Sequence, residues 1–118
     1  MYIEKIISHD EISDEADVLI TDGKYSILCY VPEYSQKQKL MPQLSAFFVE
    51  NVYLSTTKKY DVQKLDSGYY DQKFTGKVLD RKNRLVGIGQ IIIKLDENIP
   101  GDIKETEYVE FTAMRVDW

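Results

Sequence analysis

Apolar and polar residues alternate with a period of two along most of the chain. In KYSILCYV (24–31) the odd-numbered positions hold tyrosine, isoleucine, cysteine and valine, and in YDQKFTGKV (70–78) they hold mostly charged residues. Such alternation is typical of β-strands that are buried on one face only. It predicts eight strands, at 2–8, 16–21, 24–31, 45–55, 60–65, 70–80, 84–95 and 107–117.

Short turn sequences separate these segments. Asp22-Gly23 lies between two apolar runs and predicts a β-hairpin, because both residues tolerate positive φ. Pro100-Gly101 marks another turn, since proline does not fit into a central strand. We therefore expect one all-β domain over residues 1–118. The expected fold is a single antiparallel β-barrel, OB-like, with at most one short helix around 40–50.

The segment LSAFFVENVYLS (44–55) fits two different structures. Leu44, Phe47 and Phe48 could share one face of a helix. Pro42 would suit the start of that helix. Phenylalanine, valine and tyrosine are abundant in the segment, however, and these residues favour a strand. We expect a strand and keep the helix as the alternative.

The apolar face of the last predicted strand changes sides at Ala113-Met114. Before this step the apolar residues are mostly odd-numbered, and after it they are even-numbered. A β-bulge adds one residue to a strand, produces such a change and lets a sheet curl. We expect a bulge here and a packed side chain at Trp118.

The segment LVGIGQIIIKLD (85–96) contains Gly87 and Gly89, a spacing found in some phosphate-binding loops. A dinucleotide-binding fingerprint needs a third glycine and the start of a helix, and a P-loop ends in Gly-Lys-Ser/Thr. Neither pattern occurs in the segment. We expect the two glycines to let a continuous strand bend closely past Gly76 on its hairpin partner.

The composition predicts a globular protein of the cytoplasm. With 118 residues, 43% of them hydrophobic, the chain is long enough for one core. Its single cysteine, Cys29, has no partner for an internal disulfide and is expected to be buried. The first residues are acidic where a signal peptide is positively charged, and no apolar run approaches the roughly 20 residues that span a bilayer. We expect no membrane association.

No set of residues typical of catalysis or metal binding stands out. His9 is the only histidine and has no second histidine or cysteine with which to bind zinc, so a solvated strand end is expected. The acidic runs 10–17 and 95–98 lack the spacing of a calcium-binding EF-hand loop. We expect no enzyme activity, cofactor or metal. A ligand-binding barrel would need a pocket, which a sequence does not reveal.

Charge is distributed unevenly along the chain. Residues 58–94 carry nine basic and four acidic residues, a net charge of +5, whereas the rest carries six basic and sixteen acidic residues, a net charge of −10. A strong negative region can steer a basic protein partner. Bacterial immunity proteins, small acidic proteins that neutralise a basic toxin or nuclease, are one example. We expect a protein-binding module whose contact residues include Asp10, Glu11, Asp14 and Glu15.

The basic middle of the chain supports an alternative function. Single-strand nucleic-acid binders combine a basic groove with aromatic side chains on which bases stack. The candidate residues for such a surface are Tyr69, Lys73, Lys77, Arg81, Lys82 and Arg84. A solvated strand with a charged hairpin tip accounts for the same residues. The sequence leaves the oligomeric state open.

The C-terminal segment PGDIKETEYVEFTAMRVDW resembles the final strand of many OB-fold domains, including S1-like RNA-binding domains. In those domains a Gly-Asp loop leads into an alternating strand that ends near an aspartate. The chain also resembles small bacterial β-barrel proteins. This resemblance implies the fold rather than RNA binding, because the chain is more acidic than S1 domains and their aromatic contact positions have no counterpart that we can place.

Overall fold

The computed structural model describes residues 1–37 and 43–118. It confirms the all-β prediction, since these residues form eleven strands, one 3₁₀ turn (Tyr34–Gln36) and no α-helix. Within the same residues, no helix is long and apolar enough to cross a membrane. The strands are β1 (Tyr2–Asp10), β2 (Glu15–Thr21), β3 (Ser26–Val31), β4 (Leu44–Phe47), β5 (Glu50–Leu54), β6 (Asp61–Lys64), β7 (Gln72–Asp80), β8 (Leu85–Ile88), β9 (Ile91–Leu95), β10 (Tyr108–Ala113) and β11 (Arg115–Asp117).

The strands join into one sheet in the order β1-β2-β3-β11-β4-β9-β8-β7-β10-β5, with β6 added beside β7. Of the ten strand pairs in the described residues, eight are antiparallel, as predicted, but β3–β11 and β4–β9 are parallel. Both parallel pairs join distant parts of the chain, and local alternation does not reveal such pairing. The order begins at β1 and ends at β5, so hydrogen bonding between the described strands does not close the sheet into a barrel.

Alternate side chains of the strands form one hydrophobic core. In β3, Ile27, Cys29 and Val31 are fully buried, which confirms the predicted inward face. Phe74 of β7 and Phe111 of β10 pack together in this core, with their ring centroids 5.2 Å apart. Burial of a side chain of this size contributes about 1.5–3 kcal/mol. Burial of these alternate side chains therefore stabilises the sheet.

A buried glutamine connects two strands that are not neighbours in the sheet order. The Gln72 Nε2 of β7 donates to the Leu28 carbonyl of β3 at 2.9 Å, and the Leu28 N–H donates to the Gln72 Oε1 at 3.0 Å. Gln72 is almost fully buried. Its carboxamide thus pairs with the backbone of β3 much as a further strand would, and it satisfies two groups that would otherwise be buried without partners.

The 44–55 segment forms strands, as predicted, but in two pieces. A break at Phe48, which has φ +54°, separates β4 from β5. The Asp96 carboxylate holds this break by accepting the N–H groups of Phe48 and Val49 at 2.7 and 3.0 Å. Residues 40–42, at the start of the region (40–50) for which at most one short helix was predicted, lie outside the described residues.

The glycine pair belongs to a hairpin and not to one strand. Gly89-Gln90 is a two-residue turn that joins β8 to β9. Gly89 has φ +58°, and a Cβ at this position would clash with the Asp22 carboxylate. The continuous strand predicted over 84–95 is therefore wrong, because the turn falls where the apolar pattern shows no break. The close approach at Gly76 is confirmed, since a Cβ there would lie 2.7 Å from the carbonyl oxygen of Gly87.

The predicted change of face at Ala113-Met114 is confirmed, but the single strand predicted over 107–117 is wrong, because the chain breaks at Met114 into two strands instead of forming a bulge within one. β10 ends at Ala113, Met114 is 52% exposed, and Val116 and Trp118 are again buried. β10 pairs with β5 and β7, whereas β11 pairs with β3 and β4. The irregularity thus moves the chain from one set of neighbouring strands to another. Trp118 is packed as expected, with 9% of its surface exposed.

Candidate functional site

The four acidic residues expected to bind a partner lie together at the β1–β2 hairpin. Asp10 ends β1 opposite Glu15, the first residue of β2, and residues 11–14 form the turn between them. Ile12 is at the apex of this turn and is 99% exposed. Glu11 beside it is also exposed. The turn therefore places an apolar side chain among carboxylates.

Two of the four carboxylates accept hydrogen bonds that hold the turn. The Asp10 Oδ1 accepts the N–H of Ile12 at 2.9 Å. Asp14, at φ +58°, accepts both the N–H and the hydroxyl of Ser35, and it lies 2.8 Å from the Nε2 of His9. The Ser35 hydroxyl and His9 together hold the pKa of Asp14 below its ordinary value. Asp10 and Asp14 therefore brace the turn, while contact of the four acidic residues with a partner stays a prediction.

His9 belongs to this brace and is not a free strand end. Its ring packs against Tyr34, with the centroids 5.0 Å apart. Asp14 lies between His9 and Ser35, so the imidazole is not placed to take a proton from the serine hydroxyl. A serine nucleophile needs its base within hydrogen-bond reach. The arrangement of these three residues therefore supports the shape of the turn and not a catalytic relay.

A groove of about 430 Å³ runs beside the hairpin. Its walls are formed by β1, β2, β3 and the loop between β6 and β7. Among the described residues that line it there is no lysine or arginine, while three carboxylates face it. The polar side chains that line it are Ser8, His9, Asp10, Glu15, Asp17, Tyr30 and Tyr70.

Hydrogen bonds from two tyrosines fix the carboxylates of the groove. The Tyr30 hydroxyl donates to Glu15 at 2.7 Å, and the Tyr70 hydroxyl donates to Asp17 at 2.5 Å. The bond to Glu15 raises the pKa of Tyr30, and burial followed by the bond to Asp17 raises the pKa of Tyr70. Both phenols therefore stay protonated, and the two rings meet edge to face with centroids 6.1 Å apart.

Arg115 shows how this surface holds a guanidinium group. Its Nε and Nη2 donate to the two carboxylate oxygens of Asp117 at 2.7 and 2.9 Å. The same guanidinium lies 4.8 Å from the ring centre of Tyr30 and 5.6 Å from that of Phe47. Planar stacking combined with two parallel hydrogen bonds is the geometry that suits arginine best. The negative charge of Asp117 is thereby paired with a guanidinium group. In the part of the chain that the structure describes, no lysine or arginine side chain lines the groove beside its carboxylates.

The six residues of the alternative nucleic-acid surface are spread along β7 and beyond both of its ends. Tyr69 lies before β7, next to Tyr70, and is exposed. Arg81, Lys82 and Arg84 lie in the turn after it. The nine residues of β7 alone span about 26 Å at roughly 3.3 Å per residue. These six residues therefore do not form one compact site.

The two lysines of β7 contact an acidic and an aromatic side chain of β10. Lys73 forms an ion pair with Glu110 of β10 at 3.6 Å. The Lys77 ammonium lies 5.5 Å from the ring centre of Tyr108, also on β10. Glu105 accepts the backbone N–H of Arg81, and this bond holds the pKa of Glu105 below its ordinary value. The local excess of positive charge seen in the sequence is thus partly balanced in space.

Sequence reasoning missed Asp17, Tyr30 and Tyr70 as residues of the groove. The three come from β2, β3 and the loop before β7, and the Tyr70–Asp17 bond joins residues 53 positions apart. The alternation did place Tyr30 on the face opposite to Cys29. It carries no information on which loop would cover that face.

Among residues 1–37 and 43–118, no group of three or more His, Cys, Asp or Glu side chains is placed to hold a metal ion. Cys29 is fully buried, and burial raises the pKa of its thiol far above the ordinary value, with a further contribution from Asp117.

A comparison of the chain with protein-family models, with curated proteins and with solved structures finds no match.

Proposed function

We propose that this protein is a non-enzymatic binding module that recognises a basic protein partner through the β1–β2 end of its sheet. The observation that carries the proposal is the groove lined by Asp10, Glu15 and Asp17 beside tyrosine rings, with no lysine or arginine among its described lining residues. Tyrosines are frequent at the energetically important positions of interfaces, because they bring apolar area and a hydroxyl together.

Electrostatics supports the same partner class. The net charge of −5 favours approach of a basic protein at long range, and the acidic hairpin would orient it. Arg115 stacked on Tyr30 is an internal example of how this surface binds a basic side chain. A basic toxin or nuclease bound by an immunity-like protein would fit this chemistry.

The test uses variants that remove charge but keep hydrogen bonding. Glu11→Gln with Glu15→Gln removes two negative charges from the hairpin and leaves an amide oxygen to accept the Tyr30 hydroxyl. Glu97→Gln with Asp102→Asn removes the same charge from exposed residues between β9 and β10. The probe is a short oligoarginine peptide labelled with a fluorophore, titrated at low salt and followed by anisotropy.

We expect the hairpin variant to weaken binding about tenfold, or about 1.4 kcal/mol, and the control variant to weaken it far less. Equal weakening by both variants would mean that the peptide senses only overall charge, and the proposal would then be wrong. An oligoglutamate peptide of the same length should not bind either protein, which checks the sign of the interaction.

For the architecture, we propose that the sheet is an OB-like barrel held partly open. The Gln72–Leu28 hydrogen bonds support this, because they join β3 to β7 across the sheet where regular strand pairing does not. An experimental structure in which β3 and β7 lie apart would contradict it.

A cytoplasmic location also belongs to the proposal and is supported by the buried, unpaired Cys29. Cell fractionation would test it.

No contact among residues 1–37 and 43–118 favours the alternative of single-strand nucleic-acid binding. Lys73 is paired with Glu110, Lys77 is stacked on Tyr108, and Tyr69 is at the far end of β7 from the basic turn. Nucleic-acid grooves need unpaired cations that follow a phosphate backbone. We therefore place this function second.

A further inference from the structure

We propose that β1 and its apex form the surface that docks the partner, and that Ile12 is the side chain around which the contact is built. The partner surface would be an apolar patch surrounded by lysine or arginine. This inference rests on the proposed function and specifies the surface of the protein that carries it out. It concerns the exposed aliphatic side chains of the hairpin, which do not line the groove.

Exposed apolar side chains are concentrated on this hairpin. Within the described residues there are ten large hydrophobic side chains that are exposed, and four of them lie on β1 or at its apex: Tyr2, Ile6, Ile7 and Ile12. Single exposed apolar residues are ordinary on protein surfaces, and these four are spread along a nine-residue strand and its turn, so Ile12 is the one that singles out the apex. At 99% exposure Ile12 contributes nothing to the core, so folding does not explain its presence there.

The apex is held in one conformation before any partner arrives. The Asp14 N–H donates to the Asp10 carbonyl at 2.7 Å, and the Ile12 N–H donates to the Asp10 carboxylate. The Tyr34 N–H donates to the Asp14 carbonyl at 2.8 Å and ties the turn to the segment after β3. A contact loop that is already ordered loses little conformational entropy on binding, which favours affinity.

The shape of β1 directs the contact to its side chains. β1 is at one end of the strand order, so its outer edge has no neighbouring strand among the described residues. Its register with β2 shifts twice, between Ile3 and Lys5 and between Ile6 and Ser8. Such irregularities protect an edge from pairing with a further strand. A partner would therefore be bound through projecting side chains and not through strand addition.

The charges around the apex select the partner. Asp10 and Glu11 directly precede Ile12 and are both exposed, and Glu15 is opposite Asp10 in the register. A second copy docked at the same apex would place these carboxylates against their own counterparts, and like charges in an interface cost several kcal/mol. Basic residues around an apolar patch would match them. The surface therefore fits a different, basic protein.

The experiment identifies the partner by its contact with the apex. The variant Ile12→p-benzoylphenylalanine is expressed in the cells that produce the protein naturally and irradiated, and the crosslinked protein is identified by mass spectrometry. The variant Asp102→p-benzoylphenylalanine, at an exposed position between β9 and β10, is the control. We expect one basic protein to crosslink at position 12 and not at 102.

The dissociation constant of the purified pair is then measured for Ile12→Ala and Ile12→Asp. We expect both variants to keep the thermal midpoint of the natural protein and to bind at least about tenfold more weakly. Ile12→Asp is decisive, because its added carboxylate would strengthen binding to a basic partner if only charge mattered. A loss of affinity therefore reports the apolar contact.

The failures of the two proposals can be told apart. If Ile12→Asp binds as tightly as the natural protein while Glu11→Gln with Glu15→Gln binds more weakly, the docking surface is wrong and the proposed function stands. If neither variant changes the affinity, or if the protein crosslinked at position 12 is acidic, both are wrong. Crosslinking that is no stronger at 12 than at 102 also overturns the docking surface.

Discussion

At the scale of single residues, Gly89 is where one methyl group would disturb two hairpins. Its φ is positive, and the Asp22 carboxylate of the β2–β3 turn occupies the space of a side chain. Asp22 accepts the N–H groups of Gln90 and Tyr25, both at 2.8 Å. Burial favours the neutral form of this carboxyl, but the N–H groups of Gln90, Tyr25 and Lys24 outweigh it and hold the pKa of Asp22 below its ordinary value.

We therefore expect Gly89→Ala to lower the free energy of unfolding by about 2 kcal/mol or more. A left-handed backbone alone costs a residue with a side chain about 1–2 kcal/mol, and the displaced Asp22 would lose hydrogen bonds as well. Gly101→Ala is the matched control, because its Cβ would meet no atom within 4 Å. Urea denaturation of both variants measures the difference, and equal stabilities would contradict the role given to Gly89.

Residues differ in how far the sequence alone predicts their roles. The inward face of β3, with Ile27 and Cys29, follows from alternation because strand geometry is local. The roles of Asp10 and Asp14 do not follow from the sequence in the same way. Ser35, the residue that binds Asp14, lies 21 positions further along the chain. A side chain counted as a free charge in the sequence is therefore a structural hydrogen-bond acceptor in the fold.

At the scale of elements, the change of face between β10 and β11 depends on one extra residue. Met114 is exposed between the buried side chains of Ala113 and Val116. Its N–H donates to the Phe47 carbonyl at 3.1 Å, which guides the chain towards β4. A strand that is shifted by one residue turns every side chain to its other face.

Deletion of Met114 should therefore remove the offset that carries the chain from β5 and β7 to β3 and β4, so that Val116 and Trp118 lose their present core contacts. Burial of two such side chains contributes about 3–6 kcal/mol, a large part of the stability of a small domain. The substitution Met114→Ala keeps the spacing and should change stability by about 0.5 kcal/mol at most. Circular dichroism and thermal unfolding measure both variants. A folded deletion variant with natural stability would show that the spacing does not matter.

The sequence predicts the presence of strands better than their ends. β4 and β5 were expected as one strand, and so were β8 and β9, because apolar residues continue through both breaks. The first break depends on Asp96, whose carboxylate binds the backbone at Phe48 from 48 positions away. The second depends on the two-residue turn Gly89-Gln90, in which Gln90 is the single polar residue. Tertiary contacts decide both breaks, and periodicity alone does not contain them.

At the scale of the whole molecule, acidic and aromatic neighbours engage part of the basic middle of the chain. Folding brings Glu110 to Lys73 and the Tyr108 ring to Lys77. The net charge of −5 remains unfavourable for phosphate at long range. The position of charges in the sequence therefore overstates how available they are in the fold.

We expect no salt-sensitive binding of fluorescently labelled single-stranded DNA or RNA at micromolar protein concentration and low salt. The cations of β7 are engaged, and those of the next turn are too few to follow a backbone. Anisotropy titrations at two salt concentrations measure this. Micromolar affinity that falls steeply with salt would restore the alternative function, and Lys73→Glu should then abolish it.

Only part of the candidate site can be read from the sequence. Glu11 and Glu15 are visible as an acidic run, since neighbours in the chain are also neighbours at a hairpin turn. Asp17, Tyr30 and Tyr70 come together only when three segments fold around the groove. Ile12 was part of the same acidic run, but its exposure depends on how the turn projects from the sheet. The sequence therefore indicates the β1–β2 end of the molecule but not which side chains form the surface there.

The Gln72 carboxamide also gives the sheet a reporter for nuclear magnetic resonance. Side-chain amide protons on a protein surface are replaced by deuterium quickly, whereas the Gln72 carboxamide is buried and one of its N–H groups donates to the Leu28 carbonyl. Their signal should persist in deuterium oxide after the signals of the exposed Gln63 and Gln90 have disappeared. Its decay would time the separation of β3 from β7, an opening motion that backbone amides alone do not isolate.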